Sequence, residues 1–146
     1  MKSLQLDNQI CFPIYSASRL ITKAYKPFLD KMGLTYPQYL VLLVLWENNK
    51  ISINKISKAL LLNTNTLSPL LKRMEKMDLL QRNRSIEDER IVVIELTEKG
   101  EELKNQAALI PEELIKILIS EDIELSEIIG MKNMLNELIK ILSNKK

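Results

Sequence analysis

Four consecutive segments limit the possible fold of this sequence more than any other feature. Apolar residues at helical spacing predict two helices, over residues 53–60 and 64–77, joined by a short turn. The hydrophobic period then changes to two in residues 79–84 and 91–96, which is typical of a β-hairpin. A helix, a turn, a helix and a two-stranded hairpin, in that order, predict a mainly α fold with a small β-hairpin wing, the winged helix-turn-helix.

Amphipathic helical segments flank this region on both sides. Asp7 or Asn8 can cap a first helix that ends near Leu29. Thr35 and Gln38 match a capping box in front of a nearly all-apolar segment, so the helix that follows should be the buried centre of a domain.

Thr97 can cap the next helix, which Pro111 should interrupt, and the last 35 or so residues are again helical and amphipathic. No further chain remains for these end segments to cover, so we expect them to pack against a second copy. The predicted organisation is one domain, 1–146. Its winged helix-turn-helix spans about 35–97, and it dimerises through helices at about 7–30 and 98–142.

Several classes of function are excluded by what the sequence lacks. It has no histidine and only one cysteine, Cys11, which removes histidine-based catalysis, zinc sites and CxxC redox pairs. The glycine-rich phosphate-binding motifs are absent too, so we expect no enzyme, no cofactor and no metal. No apolar run reaches the roughly 18 residues of a membrane span, and the first ten residues lack a signal-peptide core. A cytoplasmic protein is expected.

The charge distribution favours a polyanionic partner. Residues 50–84 contain eight Lys and Arg residues against two acidic ones, although the whole chain carries only +2. An ordinary solvated lysine-rich surface would give the same count. The helix 64–77 adds a pattern, because the side opposite its apolar stripe is small and polar at first and basic further on. Such a helix can present polar side chains to base edges in the major groove of DNA and cations to phosphates. The residues on that side and on the hairpin are Asn65, Ser68, Lys72, Arg73, Lys76, Arg82 and Arg84.

The stretch from Leu34 to Gly100 resembles the MarR family of dimeric bacterial regulators. It carries LTYPQYLVLLVLWE, then NTNTLSPLLKRMEKMDLL, then RNRSIEDERIVVIELTEKG, whose DER and I-x-L-T-x-x-G elements are specific to that family. The N-terminal LDNQICF segment is similar to the organic-hydroperoxide-sensing, OhrR-type branch, in which the cysteine of L-x-N-Q-x-C-F is the sensor. The resemblance covers nearly the whole chain and fades after about residue 110.

This resemblance implies a role for each matching residue. Cys11 corresponds to the peroxide-reactive cysteine, and Tyr15, Tyr25 and Tyr36 to tyrosines around it, the last two bonding the sulfur. Thr64, Asn65, Thr66 and Ser68 fall at the start of the recognition helix, Arg73 lies on its exposed face, and Asp88 and Arg90 match a wing-tip pair whose arginine enters the minor groove. From its chemistry alone, we expect Asp88 to orient Arg84 or Arg90 by a charge-assisted hydrogen bond.

Cys11 is ambiguous when judged by its own chemistry. A lone cysteine in a helix is commonly a small buried hydrophobe, yet this one lies within about a turn of the predicted helix start, which favours a thiolate. Tyr15, four residues on, could donate to the sulfur. Tyr25 would be about 21 Å away along a continuous helix and could reach the sulfur only from an antiparallel partner. Because the chain has no resolving cysteine, a sulfenic acid on Cys11 must react with a small thiol or a backbone nitrogen, or be oxidised further.

The function predicted from the sequence is a homodimeric repressor that binds an inverted-repeat operator in double-stranded DNA. An organic hydroperoxide would oxidise Cys11, and a mixed disulfide with a low-molecular-weight thiol would release the DNA. One alternative is a MarR-type regulator released by a small apolar or phenolic ligand in the dimer cleft, with Cys11 incidental. Another is a thiol peroxidase, which the lack of a resolving cysteine and of a peroxidase motif disfavours.

Overall fold

The computed structural model describes residues 1–144 as α-helices with one small antiparallel sheet, which confirms the predicted fold class. Contacts divide the chain into two compact units, Met1–Ala108 and Leu109–Lys146. The helices are α1 (Cys11–Lys31), α2 (Tyr36–Glu47), α3 (Ile53–Leu60), α4 (Thr64–Lys76), α5 (Glu98–Ala107), α6 (Ile110–Leu118) and α7 (Leu125–Ser143). The strands are β1 (Lys50–Ser52), β2 (Leu80–Arg84) and β3 (Val92–Leu96).

Helix α1 begins later than the sequence predicts. Residues 2–4 and 6–8 form short 3₁₀ turns, and the side-chain amide of Asn8 donates to the carbonyl of Lys2 at 2.6 Å. The predicted cap at Asp7 or Asn8 is therefore wrong, because Asn8 bonds backwards along the chain. Cys11 is the first residue of α1, whose start has no side-chain cap.

Helix α2 is the buried centre of the first unit, as predicted. The backbone N–H of Thr35 donates to Oε1 of Gln38 at 2.8 Å, which confirms the capping interaction at its start. Val41, Leu42 and Leu45 are completely buried. The less buried side of α2 is apolar as well, with Leu43 exposed there, so the segment shows almost no amphipathic pattern.

Helices α3 and α4 form the predicted helix-turn-helix. Asn63 is the cap of α4, since its Oδ1 accepts from the N–H of Thr66 at 2.9 Å. Leu61 adopts a left-handed conformation with φ 54° at the end of α3, and this closes the short turn. The apolar stripe of α4 is buried and consists of Leu67, Leu70, Leu71 and Met74.

The sheet has one strand more than the sequence predicts. The hairpin of β2 and β3 matches the prediction, with each strand one residue shorter, but β3 also pairs with β1, giving the order β1-β3-β2. Strand β1 has only three residues and so shows no alternation. Its pairing depends on Ile51 lying buried opposite Ile94, which is distant in sequence.

The C-terminal segments are helical, as predicted, with shifted boundaries. Thr97 caps α5 through Oγ1, which accepts from the N–H of Gly100 at 3.1 Å. Helix α5 ends at Ala107, and Pro111 lies in the first turn of α6, where its missing N–H is not needed. No residue of α7 is buried, and many of its apolar side chains are exposed. None of the helices in residues 1–144 is long and apolar enough to cross a membrane.

Candidate DNA interface and cysteine site

The first half of α4 presents the residues that the sequence predicts for base contacts. Thr64, Asn65 and Thr66 are exposed, and Ser68 is half-buried beside the apolar stripe. The Asn63 cap uses the side chain that precedes them and leaves their own side chains available. Further along, Lys72, Arg73 and Lys76 are exposed on the basic side. The structure thus brings polar and basic residues onto the solvent side of one helix, in the predicted order.

Arg82 is held by α4. Its backbone N–H and its Nε donate to the two carboxylate oxygens of Glu75, at 3.0 and 2.9 Å. These hydrogen bonds hold the pKa of Glu75 below its usual value, so the pair stays charged at neutral pH. Arg82, predicted as a DNA contact, therefore also joins β2 to α4. No sequence pattern predicts this pair, because its partners lie on different elements.

The wing tip is fixed by side-chain contacts to its backbone. Oδ1 of Asp88 accepts from the backbone N–H of Arg90 at 3.0 Å, and Nη1 of Arg84 donates to the carbonyl of Glu89 at 3.0 Å. The expected bond from Asp88 to an arginine side chain is therefore replaced by one to the backbone of Arg90. The Arg90 side chain itself is exposed at the tip. Asp88 thus shapes the loop that presents Arg90.

Cys11 is exposed at the N-terminus of α1, so it is not a buried structural cysteine. Tyr15, one turn on, is 61% exposed, with the guanidinium of Arg19 5.4 Å from its ring centre. Because α1 is continuous from Cys11 to Lys31, Tyr25 lies about 21 Å further along the same helix. Fourteen residues are close to four turns, so Cys11 and Tyr25 lie on nearly the same face. Within one chain the structure does not bring them together.

Three tyrosines from α1 and α2 form a cluster, which we call the tyrosine cluster: Tyr25, Tyr36 and Tyr39. The ring of Tyr25 lies 4.8 Å from that of Tyr36 and 5.8 Å from that of Tyr39. Burial, with the neighbouring Tyr36 and Tyr39, raises the pKa of Tyr25 to about 12, and burial also raises the pKa of Tyr36 and of Tyr39. All three hydroxyls therefore stay protonated at neutral pH and can donate hydrogen bonds. Tyr39 was not among the predicted site residues.

An open groove of about 520 Å³ is lined mostly by residues of α1, together with Tyr36 and the two residues before it among others. Its α1 residues include Ser18, Thr22 and Lys26, which continue the helix face of Cys11. Among residues 1–144, no cluster of three or more acidic or cysteine side chains could hold a metal ion. Of the tyrosine cluster, Tyr36 lines this groove.

The sequence matches known transcriptional regulators over most of its length. The model of the SarA/Rot family of transcriptional regulators matches residues 23–107. The organic hydroperoxide resistance transcriptional regulator of Bacillus subtilis is 44% identical over 142 residues, which is 97% of this chain and 95% of that protein.

Solved structures agree with these matches. AbfR of Staphylococcus epidermidis, in its reduced form bound to DNA, is 35% identical with a TM-score of 0.80, covering 98% of this chain and 96% of that one. The overoxidised form of AbfR bound to DNA is also 35% identical and has a TM-score of 0.76, covering 97% of this chain and 96% of that one. AbsC, a MarR family regulator from Streptomyces coelicolor, shares the fold with a TM-score of 0.81 at 21% identity, covering 97% and 98%. The chain therefore belongs to the SarA/Rot family of transcriptional regulators, which are not enzymes, and it has the winged-helix fold of MarR regulators.

Proposed function

We propose that this chain is a homodimeric, cytoplasmic repressor that binds an inverted-repeat operator while Cys11 is reduced. An organic hydroperoxide oxidises Cys11, and the dimer then releases the DNA. The single observation that carries the proposal is the placement of Cys11, exposed at the start of a continuous helix and on the same face as Tyr25 of the tyrosine cluster.

The DNA-binding half of the proposal rests on α4 and the wing. A two-fold axis would place the α4 helices of the two subunits in major grooves about one helical turn apart, which requires an inverted repeat. Polar residues at the start of α4 would contact base edges, and the basic residues further on would contact phosphates. Arg90 at the wing tip would enter the adjacent minor groove. Reduced AbfR has been solved bound to DNA, which supports DNA binding by a chain of this fold.

The sensing half rests on the geometry of α1. If two α1 helices pack antiparallel, Cys11 of one subunit approaches the tyrosine cluster of the other, because that cluster lies on the same face about four turns away. Tyr25 and Tyr36 would then donate hydrogen bonds that stabilise the Cys11 thiolate. The exposed apolar side chains of α1, among them Phe12, Ile14 and Leu20, favour such packing.

The proposed chemistry has two steps. The Cys11 thiolate attacks the distal oxygen of the hydroperoxide, the O–O bond breaks, and an alkoxide leaves and takes a proton from water to become an alcohol, with a sulfenic acid on the sulfur. A low-molecular-weight thiol then displaces water from this sulfenic acid and forms a mixed disulfide. The added bulk at a packed interface shifts the two DNA-binding lobes. Overoxidised AbfR has been solved bound to DNA, which supports a release step that needs more than added oxygen atoms.

A gel shift on the DNA upstream of the chain's own gene tests this function. Wild-type protein should release the DNA with cumene hydroperoxide and a small thiol, whereas a Cys11→Ser variant should bind equally well and stay bound. Intact-mass measurement should show the thiol adduct on the released wild-type protein. Release by peroxide alone, in thiol-free buffer, would contradict the mixed-disulfide step.

The same experiment separates the ligand-released alternative. If Cys11→Ser responds to the peroxide as the wild type does, Cys11 is incidental and a ligand in the dimer cleft becomes the better explanation. If neither the wild type nor Cys11→Ser binds any DNA from that region, the proposed repressor function is contradicted.

A further inference from the structure

Gln38 is the one buried polar side chain within residues 1–144, and both ends of its amide are bonded. Its Oε1 accepts from the N–H of Thr35 at 2.8 Å, and its Nε2 donates to Sδ of Met77 at 3.4 Å. A backbone N–H can only donate, so the amide oxygen must face Thr35 and the amide nitrogen must face Met77. The contact with the sulfur is therefore fixed in direction by the helix cap.

The two partners of Gln38 belong to the two halves of the proposed mechanism. Gln38 lies in the first turn of α2, which also carries Tyr36 of the tyrosine cluster. Met77 is the C-cap residue that directly follows α4, the proposed recognition helix. Among the hydrogen bonds of residues 1–144, this one alone joins the first turn of α2 to the end of α4. It therefore links the proposed sensor to the proposed DNA reader.

The backbone at the end of α4 is held from a different side. Nζ of Lys99 donates to the carbonyl of Met77 at 2.8 Å, and Oγ1 of Thr97 donates to the carbonyl of Asp78 at 2.6 Å. Both residues come from the start of α5, which has no part in the tyrosine cluster. The α5 contacts thus fix the backbone at the end of α4. The Met77 side chain is bonded separately, by Gln38 of α2.

We infer that Gln38 is a positioning residue that passes the redox state of the cysteine site to the recognition helix through Met77. The inference rests on the proposed function. A thioether is a weak hydrogen-bond acceptor on a flexible side chain, so the contact can lengthen when the turn with Tyr36 moves. Gln38 moves with that turn because it also caps it. Displacement of Gln38 then changes its contact with the Met77 side chain at the end of α4, and the orientation of the helix on DNA changes with it.

The test compares operator affinity in the reduced and thiol-capped states for three variants. Met77→Leu keeps an apolar side chain of similar size but removes the acceptor, whereas Met77→Gln restores an acceptor at similar length. Met74→Leu is the matched control, since Met74 is a fully buried methionine of the same helix with no side-chain hydrogen bond found in residues 1–144. Thermal unfolding of each protein and intact mass, which confirms one adduct per chain and no methionine sulfoxide, complete the comparison.

The decisive quantity is the operator affinity of the reduced protein divided by that of the thiol-capped protein. Met77→Leu should bind the operator in the reduced state within about 3-fold of wild type and should lower the wild-type ratio by about 3-fold or more. Met77→Gln should restore the ratio, and Met74→Leu should leave it unchanged. A Met77→Leu ratio equal to that of wild type would overturn the inference even if the variant is less stable, because a purely structural contact affects both states alike. If the wild-type protein binds the operator equally well in both states, the proposed function is wrong, and the coupling through Met77 is wrong with it.

Discussion

Two arginines of the wing show how the same side chain serves different purposes. Arg82 donates to both carboxylate oxygens of Glu75 and thereby joins the hairpin to α4. Arg90 is exposed at the tip, and only its backbone N–H is held, by Asp88. Removing the Arg82 side chain should therefore disturb the fold of the wing, whereas removing that of Arg90 should affect only what the wing binds.

Arg90→Ala should weaken operator binding by about 1–3 kcal/mol with little change in the free energy of unfolding. The guanidinium is exposed, so folding loses little when it is absent, while a minor-groove contact would be lost completely. The slope of the logarithm of operator affinity against the logarithm of salt concentration should also be smaller by about one, which corresponds to one counterion fewer released on binding. Lys2→Ala, which removes the same charge from the N-terminal turn, serves as the control. Equal effects of the two substitutions would show that Arg90 acts only through net charge.

Elements were predictable where local chemistry decides them. The start of α2 follows from Thr35 and Gln38, three residues apart, and the stripe of α4 follows from its helical period. The start of α1 was missed because the amide of Asn8 bonds back to Lys2 in a 3₁₀ turn. Strand β1 was missed because its pairing with β3 involves residues more than forty positions apart. The same holds for the partners Glu75 and Arg82, which no spacing rule connects.

The glycine at position 100 in α5 is explained only by the packing of that helix, which no local sequence pattern predicts. A Cβ there would lie 2.0 Å from the carbonyl oxygen of Leu79 and 2.9 Å from Cδ2 of Leu96. Nε1 of Trp46 also donates to the carbonyl of Gly100 at 3.0 Å. The first turn of α5 thus packs directly on the chain that follows α4, and only glycine permits that approach.

Gly100→Ala should lower the free energy of unfolding by about 1–3 kcal/mol, because α5 must move away from a backbone atom that cannot yield. Helix propensity alone would give the opposite sign, a gain of about 1 kcal/mol. Denaturant unfolding at matched protein concentration measures the change. Gly130→Ala in α7 is the control, since a Cβ at Gly130 meets no atom of residues 1–144 within 4 Å. Similar effects of the two substitutions would contradict the packing argument.

The cysteine site is the part of the molecule that one chain cannot complete. Helix α1 is continuous, so Cys11 stays about four turns from Tyr25 of its own subunit. The sequence could supply the residue types and their spacing along the helix, but the contact that we propose between them would depend on a second copy. The exposed apolar residues of α1 and, separately, of α7 are consistent with such a partner.

A mixed dimer can show whether the site is shared between subunits. We expect Cys11→Ser to remove the reactive sulfur and Tyr25→Phe to slow oxidation of Cys11, because the hydroxyl that stabilises the thiolate is lost. When the two variants are co-expressed with different tags and the heterodimer is purified, its one cysteine belongs to the Tyr25→Phe subunit and faces an intact Tyr25 of the other. That cysteine should therefore react with cumene hydroperoxide at the wild-type rate, as followed by trapping of the sulfenic acid. A rate as slow as that of the Tyr25→Phe homodimer would mean that Tyr25 acts within its own subunit, against the geometry of a continuous α1.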